Sequence, residues 1–290
     1  METAVFLREA ETRKRWFAAL QFLGFVVLVV ALGFLAGKGL TAALQSIYGK
    51  KPDDLVGMMI AAPMSAVVTL LATFVMARVT GQPFRRFGLG GRHRLRNLLI
   101  GTASGIALLA LVLWAMQALG VFSFGPPAED GLTLLRWGSL YGVMFLSVAI
   151  SEEFIFRGFA LVTLSRALSF WPAAILLSAL FGALHLGNGG EDIAGALTAG
   201  LFGLALAVTF KWTGSLWLAL GLHAGWDYAE SFLFGVPDSG AVLAGRAMHS
   251  SFHGPVWLTG GSVGPEGSVL VVFLLILIVV IGWLLRERPA

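Results

Sequence analysis

Three groups of ionisable residues stand inside apolar stretches of this chain, and their types suit acid–base chemistry. The first is Ser151-Glu152-Glu153-Phe154-Ile155-Phe156-Arg157, adjacent carboxylates and an arginine in an otherwise apolar run. The second is His185, which closes Phe181-Gly182-Ala183-Leu184-His185. The third is His223-Ala224-Gly225-Trp226-Asp227, with Glu230 one turn further on. A carboxylate can take a proton from water, and a histidine can share or return it. A charge at the centre of a membrane-spanning helix costs roughly 2.5–3.5 kcal/mol, while each large apolar residue returns only about 0.3–0.6 kcal/mol. Ionisable groups in such places face a bundle interior or a cavity and mark function.

Helical spacing sorts the roles. Glu153 and Arg157 are i, i+4 in the favourable order for an ion pair on one face, so they are expected to hide each other's charge and support the helix. Glu152 projects about 100° away and lacks that partner. His223 and Asp227 also share a face and can point into one cavity. Gly221 and Gly225 flank His223 in a G-x-x-x-G frame, which lets a neighbouring helix approach with the histidine between the contact points. Gly101-x-x-x-Gly105 has the same frame without an ionisable companion and is expected to serve packing only.

The elements that must position these residues are helices in a membrane. The chain is 57% hydrophobic and 12% charged, with a mean hydropathy of +0.84, far from the balance of a soluble domain. Eight apolar runs predict spans at about 16–37, 56–77, 98–119, 138–163, 171–190, 193–210, 214–234 and 268–285. The first, behind Arg13-Lys14-Arg15, is too long for a secretory signal and predicts a signal-anchor helix. These spans place Glu152, His185 and His223 at similar depth near mid-membrane, provided that the fourth runs on past Gly158. No internal repeat or low-complexity linker divides the chain, so residues 1–290 are expected to be one all-α, polytopic membrane bundle, with its chemical core at 138–234.

Arginine and lysine placement predicts the orientation. Arg8, Arg13, Lys14, Arg15, Arg78, Arg85, Arg86, Arg92, Arg94, Arg96, Arg166, Lys211, Arg286 and Arg288 fall on one side, against Lys38, Lys50, Lys51, Arg136 and Arg246 on the other. The acidic pairs Asp53-Asp54, Glu129-Asp130 and Glu191-Asp192 collect on the poorer side. Both termini are therefore expected to be cytoplasmic. The net charge of +4 is accounted for by basic loops beside anionic lipid rather than by nucleic acid.

Other motifs carry less. Cysteine is absent, which excludes disulfides, thiolate chemistry and cysteine-ligated metals. Gly260-Gly261-Ser262-Val263-Gly264 matches G-x-S-x-G formally, but that elbow needs a strand–turn–helix context. The segment 235–267, rich in Gly and Pro, is expected to be a flexible loop. His249 and His253 stand i, i+4 within it, and the surrounding Gly, Ser and Pro predict solvated loop histidines rather than a metal pair.

Glu152-Glu153-x-x-x-Arg157, Phe181-x-x-x-His185 and His223-x-x-x-Asp227 resemble, in order and spacing, the three motifs of the CAAX prenyl endopeptidase and bacteriocin-processing (CPBP, or Abi) membrane proteases. Gly214-Ser215-Leu216-Trp217 is similar to the lead-in of the last motif. Asp227 departs from the pattern, since many members have Asn there. The resemblance implies peptide-bond hydrolysis within the membrane. Glu152 would be the general base, with His185 orienting the water. His223 and Asp227 would hold the developing oxyanion, Asp227 either protonated or acting by orienting His223. Glu153, Arg157 and Phe181 would support the site. A metal-free, glutamate-based mechanism is favoured; the alternative is one divalent ion, most naturally zinc, on Glu152, His185, His223 and Asp227. No H-E-x-x-H motif is present to make zinc the default.

The implied substrate is a membrane-anchored peptide or protein, in the lipid bilayer of a bacterial inner membrane, and a leader peptide is favoured there over a prenylated one. Two other classes remain as alternatives: a non-catalytic immunity or scaffold protein of the same fold, and a proton-coupled transporter, which would more often show two related halves.

Overall fold

The computed structural model describes residues 2–48, 54–128 and 130–284. Lys50, Lys51, Asp53, Glu129, Arg286 and Arg288, used above for orientation, lie outside the described residues. The chain forms helices α1 (Glu2–Tyr48), α2 (Asp54–Val79), α3 (Arg94–Ala118), α4 (Gly131–Glu153), α5 (Leu161–Leu168), α6 (Phe170–His185), α7 (Ile193–Thr213), α8 (Trp217–Tyr228), the single turn α9 (Val256–Thr259) and α10 (Val269–Leu284). The described strands are β1 (Phe122–Ser123) and β2 (Ser251–Phe252), a two-residue antiparallel pair. The protein is all-helical. Four stretches, Lys14–Ile47, Leu55–Val79, Arg94–Ala118 and Ile193–Thr213, are long and apolar enough to cross a membrane, and Phe170–His185 and Val269–Ile281 are shorter apolar helices.

The side-chain distribution suits a lipid solvent. Large apolar residues such as Trp16, Phe34, Leu111, Trp114 and Phe273 face outward, whereas Thr73, Glu153, Arg157, Ser215 and Glu230 are buried. Hydrocarbon offers apolar side chains as good a surrounding as the bundle does, so helices associate through close packing and polar contacts. The tightest example joins α3 to α8. Gly101 and Gly221 face each other so closely that a Cβ on either would lie 3.0 Å from the other's Cα; one turn on, a Cβ at Gly105 would lie 3.1 Å from Gly225 C, and one at Gly225 would collide with the Thr102 backbone. Each G-x-x-x-G frame is thus the other's partner. His223, two residues from both Gly221 and Gly225, points the opposite way. This corrects the expected placement of His223 between the contact points, because two residues turn a helix by about 200°.

Helix ends follow local chemistry. Asp130 accepts from Thr133 N at the start of α4 and Asp192 from Gly195 N at the start of α7, satisfying amides that have no partner within the helix. Gly214 closes α7 in the left-handed region (φ 63°), and Leu216 N then donates to Gly88 O to start α8. The fourth predicted span is a bent rod, α4 continuing through a π-helical segment, Phe154–Ala160, into α5. Gly158 departs from helical torsions there (ψ −107°). The rod passes beyond Arg157, so Glu152 lies in its middle. The fifth predicted span is shorter than expected: α6 stops at His185. Gly187, Gly189 and Gly190 follow, so His185 sits at a helix end rather than at mid-helix.

The segment 235–267 is packed rather than a free loop. Gly240 N donates to Val263 O, Ser239 N donates to the Glu266 carboxylate, and Val263 and Gly264 are buried. His249 and His253 are exposed and off any helix. Ser262, the centre of the formal G-x-S-x-G string, is exposed and donates to Gly190 O.

Replacing Gly221 or Gly225 by Leu is expected to lower stability by about 1–3 kcal/mol through overpacking. Gly33→Leu, where a Cβ meets nothing within 4 Å, is expected to be neutral. Thermal unfolding in detergent checks this, and equal melting temperatures for all three variants would contradict the α3–α8 contact.

Candidate active site

The site begins with one carboxylate oxygen. Glu153 is fully buried, and its Oε1 accepts from Arg157 Nη1 at 2.9 Å and from His223 Nδ1 at 3.0 Å. The expectation of a self-contained Glu153–Arg157 pair was therefore incomplete, since Glu153 also ties α4 to α8. Arg157 lies over the Phe181 ring, 4.5 Å from guanidinium carbon to centroid. A Cβ at Gly203 of α7 would collide with its Nη2. Three helices and a bare glycine thus enclose a cation that lipid would not tolerate.

Anchoring Nδ1 fixes what the other side of His223 can do. Glu153 Oε1 already accepts from a guanidinium, so the proton of the second bond belongs to the imidazole Nδ1. Nε2 is left facing two carboxylates, 3.5 Å from Glu152 Oε2 and 3.5 Å from Asp227 Oδ2. Those separations exceed a direct charged hydrogen bond, about 2.7–2.9 Å. His185 is held in the same manner: its Nδ1 lies 2.8 Å from Phe181 O, which can only accept. Phe181 does three things at once. Its carbonyl orients His185, its ring centroid lies 4.5 Å from that of His185, and the Arg157 guanidinium lies over the same ring. Both histidines therefore present Nε2 to their surroundings.

Glu152, His185, His223 and Asp227 all line one cavity of about 490 Å³. They arrive from α4, α6 and α8. Glu152 keeps 28% of its side chain exposed, against 5% for His223 and 9% for Asp227. Glu152 is thus the most exposed of these three side chains. His185, from the end of α6, contributes beside Gly187, Asn188 and Gly189.

Sequence reasoning missed Asp238, Ser239 and Glu266, which line the same cavity. They come from the segment set aside as a loop, where Asp238 and Glu266 are the acidic residues. Two acids in a stretch with almost no other charge were the available signal. Glu266 Oε2 accepts from Ser239 N at 3.0 Å and Ser239 Oγ at 2.9 Å, and Asp238 Oδ2 accepts from Ser231 Oγ at 3.0 Å. Burial, together with the nearby Asp227 and Glu266 carboxylates, pushes the Asp238 carboxyl well above the ordinary range.

Comparison with known proteins bears on the same region. Residues 131–229 match the family model described as Rce1-like, type II CAAX prenyl endopeptidase, in agreement with the resemblance to the CPBP proteases. The match contains all three motifs, while residues 1–130 and 230–290 lie outside it. No curated protein matches the chain. No solved structure matches it. Residues 131–229 are thus similar to the CAAX prenyl endopeptidases, and among its described residues the chain carries four helices long and apolar enough to cross a membrane.

Glu153→Gln keeps an acceptor for His223 but leaves the Arg157 charge buried without a counter-ion. Such breaks cost about 3–5 kcal/mol, so a marked fall in unfolding temperature is expected. Adding Arg157→Met to that variant should recover most of the loss. Failure of the double variant to recover would show that Glu153 does not serve to neutralise Arg157.

Proposed function

We propose that this protein is an intramembrane endopeptidase, with Glu152 as general base, that hydrolyses a peptide bond of a membrane-associated peptide or protein. One observation carries the reading: Glu152, His185, His223 and Asp227 converge from three helices on one cavity, within the stretch that matches a CAAX prenyl endopeptidase model. In this mechanism Glu152 takes a proton from a water oriented by His185 Nε2. The water oxygen attacks the scissile carbonyl carbon, the C–N bond breaks, and Glu152 returns the proton to the leaving amine. His223 and Asp227 stabilise the oxyanion. Because His223 Nδ1 is committed to Glu153, Nε2 donates to the oxyanion only from the doubly protonated ring. Glu153 and Arg157 hold the histidine in register.

The zinc alternative has suitable donors, since both Nε2 atoms carry the lone pair when the rings are neutral. Among the described residues, the ligand atoms that lie within 4.8 Å of one another are those of Asp227, Glu230 and Asp238; on Glu152, His185, His223 and Asp227 an ion would supply Lewis-acid activation of the water, and the metal-free reading remains the one proposed.

An eight-span arrangement with both termini cytoplasmic in a bacterial inner membrane is part of this proposal. It rests on the arginine and lysine asymmetry of the chain and on the helices that occupy all eight apolar runs.

Glu152→Gln should reduce cleavage of a membrane-anchored reporter peptide at least about a thousandfold while leaving the unfolding temperature within a degree or two of the unaltered protein; near-normal cleavage would sink the assignment. Self-protection against a toxin that survives in that variant would favour the scaffold reading. Cleavage by the unaltered protein is expected to persist in 1,10-phenanthroline, and its loss there, with recovery on added zinc, would move the mechanism to a metalloenzyme.

A further inference from the structure

A second group of acids adjoins the cavity; it shares Asp227 with the proposed mechanism and adds Glu230 and Asp238, which that mechanism does not use. Asp227, Glu230 and Asp238 bring carboxylate oxygens within 4.8 Å of one another. Glu230 is the unusual member. It is fully buried in the π-helical segment Ala229–Phe234 that follows α8, and neither of its oxygens has a hydrogen-bond partner. The Trp226 indole, one turn earlier, is close by but outside hydrogen-bond geometry. Among the described residues no lysine or arginine is ion-paired with Asp227, Glu230, Asp238 or Glu266. Arg157 is engaged by Glu153, and Arg246 donates to Gly235 O. An isolated buried carboxylate is costly unless it is protonated or finds a cation, and three converging ones multiply that demand.

We infer that Asp227, Glu230 and Asp238 form a binding site for a hard divalent cation, of the calcium type, at the wall of the cavity. Calcium takes carboxylate oxygens at about 2.3–2.6 Å. Two ligands on opposite sides of such an ion are then about 4.6–5.2 Å apart, so oxygens within 4.8 Å close around it with little movement. The donor set is all oxygen, which disfavours zinc and copper. Asp238 lines the cavity and Glu230 does not, so the ion would enter past Asp238 and be completed by Glu230. Asp238 arrives from the segment after α8, so a bound ion would pin that segment to the catalytic helix. The site goes beyond the peptidase reading and its test uses no substrate, so one can fail without the other.

The test is terbium luminescence on detergent-purified, chelator-stripped full-length protein, with tryptophan excitation and competition by calcium, alongside unfolding temperature with and without calcium. Sensitised emission is expected because Trp226 adjoins Glu230. Calcium should displace terbium and raise the unfolding temperature. Glu230→Gln should weaken binding at least about tenfold and abolish the temperature shift. Asp238→Asn, at the less buried position, should do the same if Glu230→Gln fails to fold. Unchanged affinity in a folded variant of either residue would overturn the site. So would absence of both emission and shift in the unaltered protein, particularly with Glu230→Gln more stable than it, since the acids would then be held protonated.

Discussion

The structure around the site depends on one oxygen, Glu153 Oε1, which accepts from Arg157 and His223 at once. A guanidinium inside an apolar bundle must be neutralised, and the carboxylate that neutralises it is left with accepting capacity to spend on the neighbouring helix. Spending it on His223 Nδ1 fixes the ring and turns Nε2 towards Glu152 and Asp227. The same contact that makes Arg157 tolerable thus aims the histidine. Carboxylates that accept from the far ring nitrogen commonly orient metal-binding histidines in this way, and here the carboxylate is also the counter-ion of a buried cation.

That geometry requires close helix approach, which glycine permits. Gly221 and Gly225 bring the back of α8 against Gly101 and Gly105 of α3, and Gly203 leaves room on α7 for the Arg157 guanidinium. With the back of α8 pressed onto α3, its front carries His223 and Asp227 towards α4. The helices that carry Glu152 and Asp227 each pass into a π-helical segment two residues further on, Phe154–Ala160 after Glu152 and Ala229–Phe234 after Asp227. Wider turns of this kind are frequent at functional sites. The second of them carries Glu230, the carboxylate without a protein partner.

Much of the site was legible because helical periodicity converts spacing into direction. Glu153 and Arg157, His223 and Asp227, and Phe181 and His185 are each four residues apart, so each pair shares a face whatever the rest of the bundle does. The apolar runs announced helices for a similarly local reason: no backbone polar group can be left unpaired in hydrocarbon. Local rules were weaker at helix ends. The fifth predicted span extended to 190, but Gly187, Asn188, Gly189 and Gly190 follow and α6 ends at His185.

What tertiary structure alone decided is which faces meet. Sequence determined that Glu153 could pair with Arg157, that Glu152 faced elsewhere, and that the two G-x-x-x-G frames were contact surfaces, since each follows from residue type and a fixed helical pitch. It did not determine that the frames meet each other, or that Glu153 reaches His223 seventy residues away. Nor did it place Asp238 and Glu266 beside Asp227, because those positions belong to a segment without periodicity, held by hydrogen bonds such as Ser239 to Glu266. Such contacts depend on how helices dock and chains fold back, and no spacing along the chain encodes that distance.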